Sequence, residues 1–174
     1  MQLLLMVIVV SVAGVGTQHP AMPKGMSHEE HRKQMAAEKQ DALKHRGADA
    51  MGFDQDATVH HFRLSATGGS IEVTAKASTA SELIEAVRTH LKTIAGDFSR
   101  GDFDKPFKTH AEMPPGVEVM KKRARVIAYT FELVPQGAAV WIRTTDQRAI
   151  RAIHDFLRYQ IKEHQTGDPL VISR

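Results

Sequence analysis

The chain has 174 residues, of which 42% are hydrophobic and 25% are charged, as in an ordinary globular domain with tails. It contains no cysteine, which excludes disulfides, thiolate metal sites, thiol nucleophiles and lipid anchors on cysteine. The formal net charge of +3 is too small to indicate nucleic-acid binding.

Residues 1–16 are almost wholly apolar, but a membrane span needs about 20 apolar residues. Ala13, Gly14 and Gly16 are small, as residues near a signal cleavage point are, although no Lys or Arg precedes the apolar run. We therefore predict a signal peptide over residues 1–17, no stable membrane span in the mature chain, and a periplasmic or secreted protein. The alternative is a buried N-terminal strand.

Residues 18–58 are predicted to form a His- and Met-containing linker and a polar helix. Ser27 and Glu30 have the spacing of a capping box, which predicts the helix start. Gly47 is a natural stop, so residues 48–58 are predicted to be a loop.

Residues 59–169 are predicted to contain one strand–turn–strand–helix unit twice, followed by a tail over residues 170–174. The segment from Phe62 to Val73 matches the segment from Phe131 to Ile142, and Phe, Leu and Gly recur in place at an offset of 69 residues. We predict strands near residues 60–64, 70–75, 125–134 and 138–144. We predict helices from Thr79, capped by Thr79 with Glu82, and over residues 146–164.

These elements predict an α+β fold, with a four-stranded antiparallel sheet, two long helices on one face, and an N-terminal helix. Strand order does not follow from the sequence. Residues 101–120 contain Pro106, Pro114, Pro115 and Gly116 and are predicted to be a connecting loop.

Histidine carries the chemical signal of this chain, which has ten of them. No G-x-S-x-G, P-loop, dinucleotide fingerprint or H-E-x-x-H motif is present. No nucleophile, base and orienting group can be named together, which favours a protein that is not an enzyme.

The first candidate metal set lies near the N-terminus. His28, His31 and Met35 share one face of the predicted helix, and Met26 lies just before it. Imidazole and thioether ligands suit copper, especially Cu(I), with zinc as the second choice. The alternative is a solvated tail helix whose His and Met residues are incidental.

The second candidate set lies in the predicted core and contains His60, His61, His90, His110, His154 and His164. Alternation places His60 on the inward face and His61 on the wet face. His164 lies at a helix C-terminus, where the dipole favours a protonated imidazole. We predict either a metal or anion site gathered from His60, His61 and one or more helix histidines, or histidines with structural roles only.

Two surface features complete the candidates. The basic run from Lys121 to Arg125 could meet a phosphate or an acidic partner, although a solvated strand start is the simpler interpretation. Trp141, the only tryptophan, is predicted on the sheet face away from Val140 and Ile142, where it could contact a partner or a second copy.

Three segments are distinctive: residues 51–56 with 60–62, residues 101–103 with 114–116, and residues 154–168. With these segments the chain resembles, over about residues 25–170, a family of bacterial secreted proteins without an assigned function. Such chains are sometimes described as aspartate carbamoyltransferases. This chain is too short for that two-domain enzyme and lacks its S-x-R-T-R loop and H-P-x-Q segment.

The sequence favours an extracytoplasmic protein that binds or buffers a transition metal, copper first. The alternative is a secreted interaction module without metal that uses the polar sheet face around Trp141 to bind a protein partner or to form a homodimer.

Overall fold

The computed structural model describes residues 25–77 and 80–172. The predicted signal peptide, most of the predicted linker and Thr79 lie outside these residues. The chain divides into two compact units, Met1–Met35 and Ala36–Arg174.

Five helices and four strands follow one another along the described chain. The helices are α1 (His28–Met51), α2 (Ser81–Ser99), α3 (Asp104–His110), α4 (Val117–Lys122) and α5 (Gln147–Glu163). The strands are β1 (Thr58–Ser65), β2 (Gly68–Ala75), β3 (Ala128–Val134) and β4 (Gly137–Arg143). Short 3-10 turns, Gln55–Ala57 and Ala124–Val126, precede β1 and β3. None of the described helices is long and apolar enough to cross a membrane.

The four strands form one antiparallel sheet in the order β1-β2-β4-β3. Phe62 pairs with Ile71 in the first hairpin, and Phe131 pairs with Val140 in the second. The two hairpins meet where Ile71 lies opposite Val140. The predicted α+β fold is therefore confirmed, and both hairpins have equivalent registers at the offset of 69 residues. The interpretation of the two strand–turn–strand–helix segments as an internal repeat stays a prediction.

The core lies between the sheet and the helices that cover its inward face. Successive side chains along each strand point to opposite faces of the sheet, and Phe62, Val73 and Ile142 point inward. α2 packs mainly over β3 and β4, whereas α5 packs over β1 and β2. Each helix therefore covers the hairpin that precedes the other helix. This arrangement brings α5 and its C-terminal end against β1, where His60 lies.

The predicted end of the N-terminal helix at Gly47 was wrong, and residues 48–51 are helical rather than part of a loop. α1 continues through Gly47 to Met51, because this glycine is buried and tertiary packing offsets its low helix propensity of about 1 kcal/mol. The N-cap of α2 is Ala80, which makes no side-chain capping bond. The Thr79 cap lies outside the described residues, whereas the capping box of Ser27 and Glu30 is present at 2.8 and 3.2 Å.

The predicted loop over residues 101–120 contains α3 and α4. Pro106 does not prevent α3, because it lies in the first turn, where a missing backbone N–H breaks no helical hydrogen bond. Gly116 caps α4 at a φ of 85°, and a Cβ there would lie 2.0 Å from the Ala152 carbonyl oxygen. The chain therefore passes tightly over α5 at Gly116, and α3 ends with a buried His110.

Candidate functional site

A cavity of about 70 Å³ lies in the core of the second unit. Its lining comes from the end of α1 and from β1, β2, α2, α3 and α5. It includes four imidazoles and one thioether: His60, His90, His110, His164 and Met51. The rest of the lining is mainly apolar, with Phe62, Ile71 and Leu91 among its members. The cavity therefore places several weakly basic nitrogens in mainly apolar surroundings.

Three separate elements bring three of these histidines together. His60 points inward from β1 by strand alternation, His110 is the last residue of α3, and His164 follows the last turn of α5. The His164 ring centroid is 5.9 Å from that of His60 and 5.1 Å from that of His110. We call these three residues the histidine cluster.

A hydrogen bond links His110 to Gln160. His110 Nε2 lies 3.0 Å from Gln160 Oε1, and with the amide in this orientation the oxygen accepts and Nε2 carries the proton. The neutral ring then has a free lone pair on Nδ1. Orienting one ring nitrogen by a hydrogen bond while the other stays free is the arrangement found in metal-binding histidines.

Each member of the histidine cluster has one buried ring nitrogen without a hydrogen-bond partner. These atoms are His60 Nε2, His110 Nδ1 and His164 Nδ1. A buried polar atom that lacks a partner costs about 1–3 kcal/mol, so three around one cavity are a substantial destabilising feature. Such atoms are unusual in native proteins and call for a physical explanation at each position.

Burial keeps the histidine cluster neutral. Burial, with smaller contributions from His90 and His61, lowers the pKa of His60 to about 4. Burial likewise lowers the pKa of His164 to about 3 and that of His110 below its ordinary value. The expected protonated His164 at the helix C-terminus is therefore wrong, because loss of water outweighs the helix dipole. Neutral imidazoles are the form that binds metal ions.

His90 lines the same cavity from α2. Its ring meets the edge of Phe53 at a centroid distance of 5.6 Å. Burial lowers the pKa of His90 to about 4, with a smaller contribution from Lys105. His90 is therefore also neutral near pH 7.

His61 and His154 do not reach the cavity. His61 Nδ1 lies 2.9 Å from Asp168 Oδ1, and His154 Nε2 donates to the Ser65 carbonyl at 2.9 Å. Asp168 also accepts from the Phe62 backbone N–H at 3.0 Å, which fastens the C-terminal segment to the edge strand β1. The structure thus gives these two histidines local partners.

The N-terminal candidates lie in the first unit. His28 is exposed, Met26 and His31 are half-buried, and the Met35 side chain is 39% exposed. Among the described residues of the whole chain, no group of three or more His, Asp or Glu side chains is arranged to hold a metal ion. The nitrogens of the histidine cluster therefore do not converge on one point in this conformation.

Trp141 lies on the outer face of the sheet, as predicted, because Val140 and Ile142 point inward. Its indole N–H donates to Glu132 at 2.5 Å, and the Arg143 guanidinium lies 4.9 Å from the ring centroid. Neighbours on the same face thus satisfy the polar group of this half-buried ring.

No protein-family model, curated protein or solved structure matches this chain.

Sequence reasoning missed Gln160 and Met51 as cavity residues and gave His110 no defined position. Because residues 101–120 were predicted to be a loop, His110 was given no defined position. Pro106 was a usable signal for α3, since proline is favoured in the first turn of a helix. Gln160 lies one turn before His164, a spacing that places both residues on one face of α5.

Proposed function

We propose that this protein binds one transition-metal ion, copper first and zinc second, in the core cavity through His60, His110 and His164. The observation that supports this is the set of three buried ring nitrogens without partners around one cavity. An ion would supply the missing partner of all three, so binding would offset the cost of burying them.

The spacing of the rings agrees with a shared ion. With metal–nitrogen bonds of about 2.0–2.1 Å, two imidazoles on one tetrahedral ion have ring centroids roughly 5 Å apart. The observed 5.1 and 5.9 Å are near this value, so modest ring rotations would bring the nitrogens together. The cavity of about 70 Å³ has room for an ion with one or two waters but not for a drug-sized ligand, which needs roughly 300 Å³ or more.

The donor set favours copper over magnesium or calcium. Neutral imidazoles suit Cu, Zn, Fe and Ni, and a thioether favours Cu(I). Met51 lines the cavity and supplies a thioether. Gln160 acts indirectly, since it orients His110 through the 3.0 Å hydrogen bond.

The proposal extends to the N-terminal residues and to the compartment. His28, His31, Met35 and Met26 would capture the ion more weakly, because exposed ligands must be ordered on binding. The apolar residues 1–16 support a periplasmic or secreted location for a protein that binds or buffers copper.

The test is a calorimetric titration of metal-free protein with Cu(I), Cu(II) and Zn(II). We expect one tight site that is lost in His60→Phe and in His110→Phe, and is kept in a His28/His31/Met35 triple alanine variant. His154→Gln is the matched control, since His154 is buried but points to Ser65 rather than to the cavity. Tight binding that survives both cluster substitutions in folded protein would refute the core site.

A second candidate function, a secreted interaction module without metal, rests on Trp141 and Arg143 on the outer sheet face. It predicts a homodimer or a complex that Trp141→Ala weakens, as measured by sedimentation. Phe107→Ala is the matched control, because Phe107 is an exposed aromatic on α3.

A further inference from the structure

A basic groove of about 780 Å³ lies on the surface of the second unit, apart from the core cavity. Its walls come from the end of α2, from α4 and the turn after it, and from the start of α5. Six cationic side chains line the groove, and no carboxylate does: Arg100, Lys121, Lys122, Arg123, Arg125 and Arg148. We call these six residues the groove cations.

The positive charge of the groove is only partly neutralised by its surroundings. Arg100 pairs with Asp97 at 2.7 Å, Arg123 pairs with Asp146, and Lys121 approaches Glu118 at 3.9 Å. Lys122 and Arg125 are exposed and make no ion pair within the described ranges 25–77 and 80–172. The groove therefore has an excess of positive charge that is not balanced locally.

Two exposed apolar side chains lie among the groove cations. Val119 is 38% exposed and Val126 is 52% exposed, and both line the groove. A hydrated polyanion such as a nucleic acid or a free polyphosphate would gain little from these valines. An anionic lipid offers a phosphate to the cations and an acyl chain to the valines.

We propose that the basic groove is a peripheral binding surface for anionic phospholipid, with the phosphate headgroup held by the groove cations and the interface contacted by Val119 and Val126. Such a contact would hold the groove face at the bilayer surface. It involves none of the histidine cluster and is independent of metal binding.

The test is sedimentation of the full chain with two kinds of vesicle, pure phosphatidylcholine and an equal mixture of phosphatidylcholine and phosphatidylglycerol. We expect stronger partitioning onto the anionic vesicles, since each cation near such a surface contributes about a fivefold gain. Lys122→Glu with Arg125→Glu should reduce that partitioning at least about twentyfold, and Val126→Ser should reduce it by a smaller factor.

Lys92→Glu with Lys108→Glu is the matched control, because both lysines are exposed, lie outside the groove and give the same change in net charge. Residues 1–17 are common to all variants, so any insertion of that apolar segment cancels in the comparison. Equal partitioning onto both vesicle types, or equal losses in the two double variants, would overturn the proposal. Binding of pyrophosphate or of an acidic peptide to the groove, with no preference of the protein for anionic vesicles, would assign the groove to a soluble anion. That result would overturn the proposal as well.

Discussion

His60 should make the free energy of unfolding depend on pH. Burial lowers its pKa to about 4 in the folded protein, whereas an exposed histidine in the unfolded chain has a pKa of about 6.5. Between these values the unfolded chain binds a proton that the folded protein excludes. Acid therefore favours unfolding, and the stability present above pH 6.5 is lost as the pH falls toward 4.

The size of the effect follows from the two pKa values. Each pH unit below 6.5 costs about 1.4 kcal/mol, so the His60 imidazole alone should cost about 2 kcal/mol at pH 5. His60 is only 9% exposed, so water does little to reduce the free-energy cost of charging its imidazole. Because small proteins are stable by about 5–15 kcal/mol, one such residue is a large fraction of the total.

The measurement is urea unfolding of metal-free protein at pH 7.5, 6.0 and 5.0, for the wild type and His60→Phe. The variant should lose about 2 kcal/mol less than the wild type between pH 7.5 and 5.0, because phenylalanine does not titrate. His45→Ala is the control, since His45 is exposed on α1. If His60→Phe and the wild type lose stability equally with acid, the buried neutral state of His60 is wrong.

Three further substitutions test local features by urea unfolding. Gly116→Ala should cost about 3 kcal/mol or more, because its Cβ would lie 2.0 Å from the Ala152 carbonyl oxygen. Gly167 has a similar positive φ but lies in open space, so the control Gly167→Ala should cost only about 1 kcal/mol. Equal costs would contradict the tight passage over α5. Asp168→Ala should cost about 3 kcal/mol, because it removes the hydrogen bonds with His61 and the Phe62 N–H. The difference in stability between wild type and variant should shrink as the pH falls below about 3.9, where the carboxylate becomes protonated. A cost no larger than that of Asp155→Ala, an exposed control, would refute this prediction. Asp146→Ala should cost about 1 kcal/mol, since its side chain accepts from two N–H groups at the start of α5; an unchanged midpoint would show that this cap contributes nothing.

The sheet could be predicted because its signal is local. Phe62, Leu64, Ile71 and Val73 alternate with polar residues, and this alternation fixes which face each residue occupies. The order of the strands could not be predicted. It depends on the pairing of Ile71 with Val140, a long-range contact that no local spacing specifies.

The candidate site could be predicted only in part. Alternation placed His60 inward, and helical periodicity placed His164 beside Ile161 on the apolar face of α5. Neither pattern shows that α3 delivers His110 to the same cavity, because α3 is short and its position depends on tertiary contacts such as that of Arg46 with the Thr109 carbonyl at 2.9 Å.

The histidine cluster is costlier than the aromatic part of the core. Phe98, Phe103 and Phe156 pack against one another, stacked or edge to face, and gain packing energy without any polar atom to satisfy. A phenylalanine at position 60 would pack beside Phe62 and His164 without burying an unpartnered nitrogen. Local conflicts of this kind are expected at functional sites, where stability is given up for chemistry. The fold thus holds three neutral imidazoles around one cavity, each with a buried ring nitrogen whose missing partner costs the folded protein stability.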